Sequence, residues 1–147
     1  MPDPSGDRYC GCLYYSANAL ARTITRMAEE EFAVTGLAPS YAFILMAVNE
    51  KPGIQPKEVS GIMHLTPSTV TRLVEKLVAK GYVVRRAAGK GIELSPTRKA
   101  RASYPRIREA WKNLYRRYSR ILGEDVGRRL ASEVYGATAK LESSPPK

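Results

Sequence analysis

The sequence predicts a mainly α chain with long helices at both ends and two short helices followed by a single β-hairpin between them. Three observations carry this prediction. Apolar residues recur at steps of three and four over most of the chain, the spacing of one helix face. Proline-containing pairs and glycines mark most of the joints between those stripes. Only around residues 82–94 does the helical spacing give way to two short runs either side of a glycine-containing turn, the pattern of a hairpin.

The elements follow in chain order. The first eight or so residues, rich in Pro, Gly and Asp, are expected to fray, as is the closing SSPPK. Over about 8–34, Leu13, Ala17, Leu20, Ile24 and Met27 predict one long helix with a narrow apolar seam suited to packing on another helix, and Gly36 is a natural stop. Pro39 and Ser40 open a short apolar helix over about 41–50, ended by Lys51-Pro52-Gly53. Gln55 and Pro56 start the next, with the proline at the first helical position. Val59, Ile62 and Met63 give it an inward face, and it stops near His64-Leu65.

Thr66-Pro67 repeats the cap-then-proline start for a helix over 67–80. Val70, Leu73, Val74, Leu77 and Val78 form its core face, while Ser68, Thr69, Thr71, Arg72, Glu75 and Lys76 lie elsewhere around it; Gly81 ends it. Residues 82–86 and 91–94 read as strands around a turn of Ala87, Ala88, Gly89 and Lys90. Ser95-Pro96 is expected to cap a long basic helix running to about Leu122, with Pro105 bending it or removing a hydrogen bond. After Gly123, the stripe Val126, Leu130, Val134 and Leu141 predicts a last amphipathic helix.

Bulk properties narrow the function. A chain of 147 residues, 44% hydrophobic and 26% charged, fits one domain whose core needs no disulfides. No apolar run approaches the roughly 20 residues needed to cross a bilayer. The opening MPDPSGDRY lacks the basic and apolar regions of a secretory signal, so a cytoplasmic location is expected. Cys10 and Cys12 are the only cysteines and His64 the only histidine, too few ligands for a structural zinc site and too few bases for a catalytic triad. No paired-carboxylate, glycine-rich phosphate or nucleophile–base arrangement stands out, so neither an enzyme nor a cofactor is expected.

Charge points to a partner. The net charge is +10, and residues 51–120 alone hold 17 Lys/Arg against four acids, Glu58, Glu75, Glu93 and Glu109, a local excess of +13. Such an excess suits a polyanion, although a solvated basic face with no partner would look the same by composition.

Two short helices joined by a tight turn and followed at once by a basic hairpin make a winged helix-turn-helix. In that arrangement the second helix enters the roughly 12 Å major groove and the hairpin reaches the flanking backbone or minor groove. Ser68, Thr69 and Thr71 suit bonds to phosphates or bases, Arg72 a bidentate guanine contact, and Lys57 and Lys76 phosphate neutralisation. Arg85, Arg86 and Lys90 put positive charge on the wing. Ser68 equally suits completion of the helix start, and Arg72, Glu75 and Lys76 are also ordinary surface residues.

From about Cys10 to Leu141 the chain resembles the MarR (multiple antibiotic resistance regulator) family, most specifically in LTPSTVTRLVEKLVAKGYVVRR, preceded by PGIQPKEVSGIMH and GLAPSYAFILMAV. The resemblance implies one domain over 1–147, with dimerisation helices at 8–34 and 96–142 around a DNA-binding lobe at 38–95. It also implies an obligate homodimer on a pseudo-palindromic operator in duplex DNA, acting as a transcription regulator. The wing departs from the family's Asp-x-x-Asp-Arg-Arg pattern: RRAAGKGIEL is acid-free at its tip, with Lys90 the only tip cation. Weaker minor-groove anchoring is expected, offset by Arg85, Arg86, Arg98 and Lys99.

Family members commonly respond to phenolic or otherwise lipophilic ligands, which implies a repressor released by such a molecule. Tyr14, Tyr15, Tyr41, Met46 and Trp111 are the candidate ligand-lining residues, and core or dimer-interface packing is the competing explanation for each. Cys10 and Tyr14 also resemble the start of the first helix in the family's organic-hydroperoxide-sensing branch, with Cys10 and Cys12 as candidate redox residues, but Ile24 stands where that branch has a further tyrosine. A non-sensing architectural winged-helix protein is the alternative from another class.

Overall fold

The computed structural model describes residues 8–147. The segment MPDPSGD, for which fraying is expected, lies outside the described residues. Six helices and one hairpin run in the order α1 (Leu13–Phe32), α2 (Pro39–Glu50), α3 (Pro56–Met63), α4 (Pro67–Ala79), β1 (Val83–Ala88), β2 (Gly91–Pro96), α5 (Arg98–Leu122) and α6 (Glu124–Glu142). This is the mainly α, winged helix-turn-helix architecture that the sequence predicts. The chain forms two compact units that divide after Trp111, inside α5.

In the first unit, local chemistry sets the joints. Cys12 is the N-cap of α1, so the helix begins at Leu13, later than the expected start near Arg8. A 3₁₀ turn, Ala33–Thr35, closes it against Gly36, whose φ of 73° is left-handed and so favours a residue without Cβ. Proline occupies the first position of α2, α3 and α4, where a missing N–H leaves no bond unmade. Gln55 and Glu58 cap α3 reciprocally, each side chain accepting from the other's backbone N–H. Thr66 caps α4 by accepting from the Thr69 N–H at 3.3 Å.

The core of this unit centres on α2, which buries Ala42, Ile44, Leu45, Met46 and Val48, and on the inner face of α4, Val70, Leu73, Val74 and Leu77. Phe32, Leu37, Ile54, Val59, Val83, Leu94, Ala100, Ile107 and Ala110 are buried with them. Of the inward face expected for α3, Val59 is buried, whereas Ile62 is 56% exposed.

The hairpin is antiparallel, with Val83 opposite Pro96 and Ala88 opposite Gly91. Its turn is therefore Gly89-Lys90 alone, two residues shorter than expected, because Ala87 and Ala88 continue the strand. Pro96 ends β2, so the expected Ser95-Pro96 helix start moves two residues on. Thr97 does the capping: its Oγ1 accepts from the Ala100 N–H at 3.3 Å and donates to the Gly81 carbonyl at 2.6 Å. Helix α5 runs through Pro105, which removes one backbone donor without interrupting the helix.

The second unit is the end of α5 and α6. Gly123, at φ 90°, turns the chain between them. Gly127 is buried against the Tyr118 ring, which a Cβ at that position would meet at an ordinary van der Waals distance of 3.5 Å. Glu124 pairs with Arg128 at 2.8 Å one turn on, with the acid near the helix N-terminus. Val126, Val134 and Leu141, members of the expected stripe, are exposed on α6, as Leu13 and Leu20 are on α1. No single described helix is long and apolar enough to cross a membrane.

Candidate nucleic-acid interface

The α3–α4 connection is three residues long, and His64 makes it tight. It is the only described non-glycine residue at positive φ (53°). As the C-cap of α3 it turns the chain so that Leu65 donates back to the Ser60 carbonyl at 3.2 Å, while the Ser60 hydroxyl bonds the Leu65 carbonyl. The turn places α4 with its apolar side inward. Ser68, Thr71, Arg72, Glu75 and Lys76 are then exposed and Thr69 is half-buried. Lys57, on α3, is also exposed.

The hydroxyls of α4 are not equivalent. The Thr66 Oγ1 lies 2.9 Å from the Thr69 hydroxyl and 3.2 Å from that of Ser68, forming one network over the helix start. The Thr71 Oγ1 donates to the Pro67 carbonyl at 3.0 Å, so its proton is used within the helix and only its lone pairs face outward. Arg72 and Lys76, four residues apart, share the exposed side, and no described ion pair holds either one.

The wing carries Arg85, Arg86 and Lys90, all exposed. Register distinguishes them: Arg85 stands across from the buried Leu94, Arg86 across from Glu93, and Lys90 in the turn. The base of the wing has a third strand-like member that the sequence reading missed. Ile54 bridges to Leu94, with the Gly53 N–H bonding the Leu94 carbonyl and the Leu94 N–H bonding the Ile54 carbonyl, both at 2.8 Å. The only local signal was one fully buried-type residue between Gly53 and Gln55-Pro56. Lys99, expected to compensate for a weak wing tip, is instead occupied: its Nζ donates to the Lys80 carbonyl at 2.8 Å and lies 4.3 Å from the Tyr82 ring centroid. Arg98 is exposed.

Of the five candidate ligand-lining residues, two share a described cavity. Met46 and Trp111 line an apolar cavity of about 280 Å³ together with Phe43, Ala47, Ile54, Ile62 and Met63. Tyr14 is 80% exposed, and Tyr15 stacks at 5.6 Å on Tyr9. Tyr41 lies under the Lys80 ammonium at 5.7 Å, by the end of α4. None of these three tyrosines lines the cavity. Phe43 and Met63, which the sequence reading passed over, do; Phe43 sits on α2 one turn before Ala47.

Neither Cys10, which is exposed, nor Cys12, which is half-buried, is in a disulfide. Cys12 is the N-cap of α1 but makes no side-chain cap bond, and the Ser16 hydroxyl donates to the Cys10 carbonyl at 2.7 Å. Among the described residues no group of three or more His, Cys, Asp or Glu is placed to hold a metal.

Comparison with known proteins agrees with this geometry. Residues 35–91, which contain the helix-turn-helix and the first strand of the wing, match the MarR family model. By structure the chain is similar to the transcriptional regulator SlyA, at 20% identity over 88% of this chain and 94% of the other, with a TM-score of 0.75. It is similar to the transcriptional repressor CouR bound to a 23-mer DNA duplex, at 18% identity over 94% and 99%, with a TM-score of 0.81. CouR from Rhodococcus jostii RHA1 bound to p-coumaroyl-CoA aligns at 18% identity over 91% and 93%, with a TM-score of 0.74. No curated protein matches by sequence.

Proposed function

We propose, from the match of residues 35–91 to the MarR family model and the structural likeness to SlyA and CouR, that this chain is a MarR-family winged-helix regulator, a homodimeric, sequence-specific repressor that binds duplex DNA and is released by a small lipophilic ligand. The observation that carries the proposal is the two-sided α4. Its inner face buries Val70, Leu73, Val74 and Leu77, while its outer face offers Ser68, Thr71, Arg72 and Lys76 directly before a wing with three exposed cations. Arg72 is the residue best suited to a base edge, since a planar guanidinium can hold guanine O6 and N7 together. Lys57, Lys76, Arg85 and Lys90 suit phosphates. At the start of α4 the Ser68 N–H, beside the Thr66–Ser68–Thr69 hydroxyl network, suits a phosphate oxygen, since the Thr69 and Val70 N–H groups bond Thr66.

Dimerisation is supported by the apolar residues that a single chain leaves in water, Leu13 and Leu20 on α1 and Val126, Val134 and Leu141 on α6. Two-fold symmetry would place two copies of α4 one helical turn of DNA apart. Effector response is supported by the apolar cavity at Met46 and Trp111 and by the structural likeness to CouR, which has been seen with both DNA and p-coumaroyl-CoA.

Selection of bound sites from random duplex DNA tests the proposal. The expected result is a two-fold-symmetric site of about 15–20 base pairs bound by two chains. Equal affinity for unrelated duplexes would overturn it in favour of an architectural role.

A further inference from the structure

We infer that Ile92 is a specificity-determining residue of the wing: its apolar side chain packs into the minor groove at the ends of the bound site and disfavours guanine there. This rests on the proposed duplex-binding regulator and names what its wing selects. Residues directly opposite each other in a hairpin share a face, and successive residues alternate between faces. The register therefore puts Val83, Arg85, Ala87, Ile92, Leu94 and Pro96 on one face and Val84, Arg86, Ala88, Gly91, Glu93 and Ser95 on the other. The first face packs on the core at its root, where Val83, Leu94 and Pro96 are buried. It leaves the core toward the tip, where Ala87 is exposed and Ile92 keeps 46% of its surface in water.

The two faces differ in charge and in what lies beside them. Arg85, Arg86 and Glu93 are the only charged residues of the two strands. Arg86 and Glu93 stand opposite each other on the second face, whereas Arg85 shares the first face with Ile92 and no acid. The second face also lies beside the start of α3, since a Cβ on Gly91 would be 3.4 Å from the Gln55 Nε2. Lys90, in the turn, adds a cation at the tip, so Ile92 lies between Arg85 toward the root and Lys90 beyond it. An apolar side chain flanked by cations suits a groove with phosphates along its edges and bases at its floor. The tip is narrow as well. Gly89, at φ 56°, and Gly91 bring no side chain, and Ala87 and Ala88 bring only methyls, which suits a minor groove roughly 6 Å wide.

In the minor groove A·T and T·A pairs show only acceptors, and G·C adds the guanine 2-amino donor. Isoleucine takes water from the acceptors of either pair alike, so the amino group is the difference. It strips that donor of water and returns no acceptor, which penalises guanine. The test uses the full-length protein and the duplex selected from random DNA. Each outer base pair is replaced in turn by G·C and by inosine·C, which keeps the major-groove edge of G·C but lacks the minor-groove amino group. At one or more outer pairs of each half-site, G·C is expected to weaken binding about fivefold or more relative to A·T, and inosine·C by less than about twofold. Ile92→Thr keeps the β-branch suited to a strand and adds an acceptor, so it should shrink the G·C penalty to less than about twofold. Ile92→Val should keep the penalty, and both variants should keep the preference set by α4 at its own base pairs. Should Ile92→Thr fail to fold, Ile92→Ala removes the same contact and should shrink the penalty in the same direction.

G·C tolerated as well as A·T at every outer pair, inosine·C penalised as heavily as G·C, or a penalty that survives loss of the isoleucine would overturn the inference. Selective duplex binding without the amino-group penalty sinks this inference alone; failure to select any duplex sinks the regulator.

Discussion

The Lys99 ammonium donates to the Lys80 carbonyl at 2.8 Å, tying the C-terminal end of α4 to the first turn of α5. The same ammonium lies 4.3 Å from the Tyr82 ring centroid. A cation at a helix C-terminus complements the helix dipole, and one resting on an exposed aromatic gains a further fraction of a kcal/mol. A lysine held in this way is expected to steady α4 more than to neutralise phosphate. Lys99→Met is therefore expected to lower unfolding stability by about 1 kcal/mol in urea titration. The slope of log affinity for duplex against log salt should not change. A fall in that slope by about one would identify Lys99 as a phosphate contact.

Arg72 and Thr71 are neighbours on α4 with opposite expectations. The arginine is exposed and held by no described ion pair, whereas the threonine hydroxyl donates to the Pro67 carbonyl. Arg72→Ala should cost about 1–3 kcal/mol against the selected duplex and relax the preference at one base pair of each half-site. Thr71→Val should change affinity by less than about threefold, since a hydroxyl already donating within the helix has only acceptor capacity to lose. Binding isotherms on the selected duplex and its single-base variants separate the two outcomes, and a larger loss from Thr71→Val would reverse the ranking.

What the sequence made legible, and what it hid, follows from the range of the interactions. Pro39, Pro56 and Pro67 each fall at the first helical position because proline's constraints act on its own φ and on its neighbours. The split of α4 into buried Val70, Leu73, Val74 and Leu77 and exposed Arg72 and Lys76 was legible for a similar reason, the constant angular step of a helix. The Ile54–Leu94 bridge was not, because it joins residues 40 apart through backbone groups that every residue possesses. Periodicity also assigns a residue to a face without saying which faces meet. Tyr14, on α1, points to water, while Phe43 and Met63 close on Trp111 from two other helices. Thr97 was displaced from view by Ser95-Pro96, a pair that looks like a helix start until Pro96 is seen opposite Val83.

The wing cations should not contribute equally. Arg86 stands directly across the hairpin from Glu93, and opposite charges in that relationship attract. Arg85 faces Leu94, and Lys90 occupies the two-residue turn, so neither has an acid opposite it. Substituting Arg85 and Lys90 together with alanine is expected to lower the salt slope by about two. Arg86→Ala alone should lower it by less than about one. Glu93→Gln should tighten duplex binding at low salt, because it removes a negative charge from the wing. If all of these variants kept the wild-type slope, the wing would be making no phosphate contact.

The capping pair of α3 sets a pH dependence. A side-chain hydrogen bond from Lys51, aided by the Gln55 backbone N–H and the lysine's charge, holds the Glu58 carboxyl below its ordinary range despite some opposing desolvation. A carboxyl whose folded pKa is depressed contributes stability above its unfolded pKa, and loses that contribution as pH falls through the folded value. Glu58→Gln retains an acceptor for the Gln55 N–H but has no charge to titrate. Wild type should therefore be more stable than Glu58→Gln at neutral pH, with the difference shrinking as pH drops below the ordinary carboxylate range. Because Glu58 begins α3 and Lys51 precedes Ile54, the first structure to loosen in acid should be the link that supports the wing base. Amide hydrogen exchange at Gly53 and Leu94, both donors in the 2.8 Å bonds there, should quicken in acid more than base-catalysed exchange chemistry allows, and less so in Glu58→Gln. A stability difference that stays constant with pH would show that the pair acts through packing or capping geometry alone.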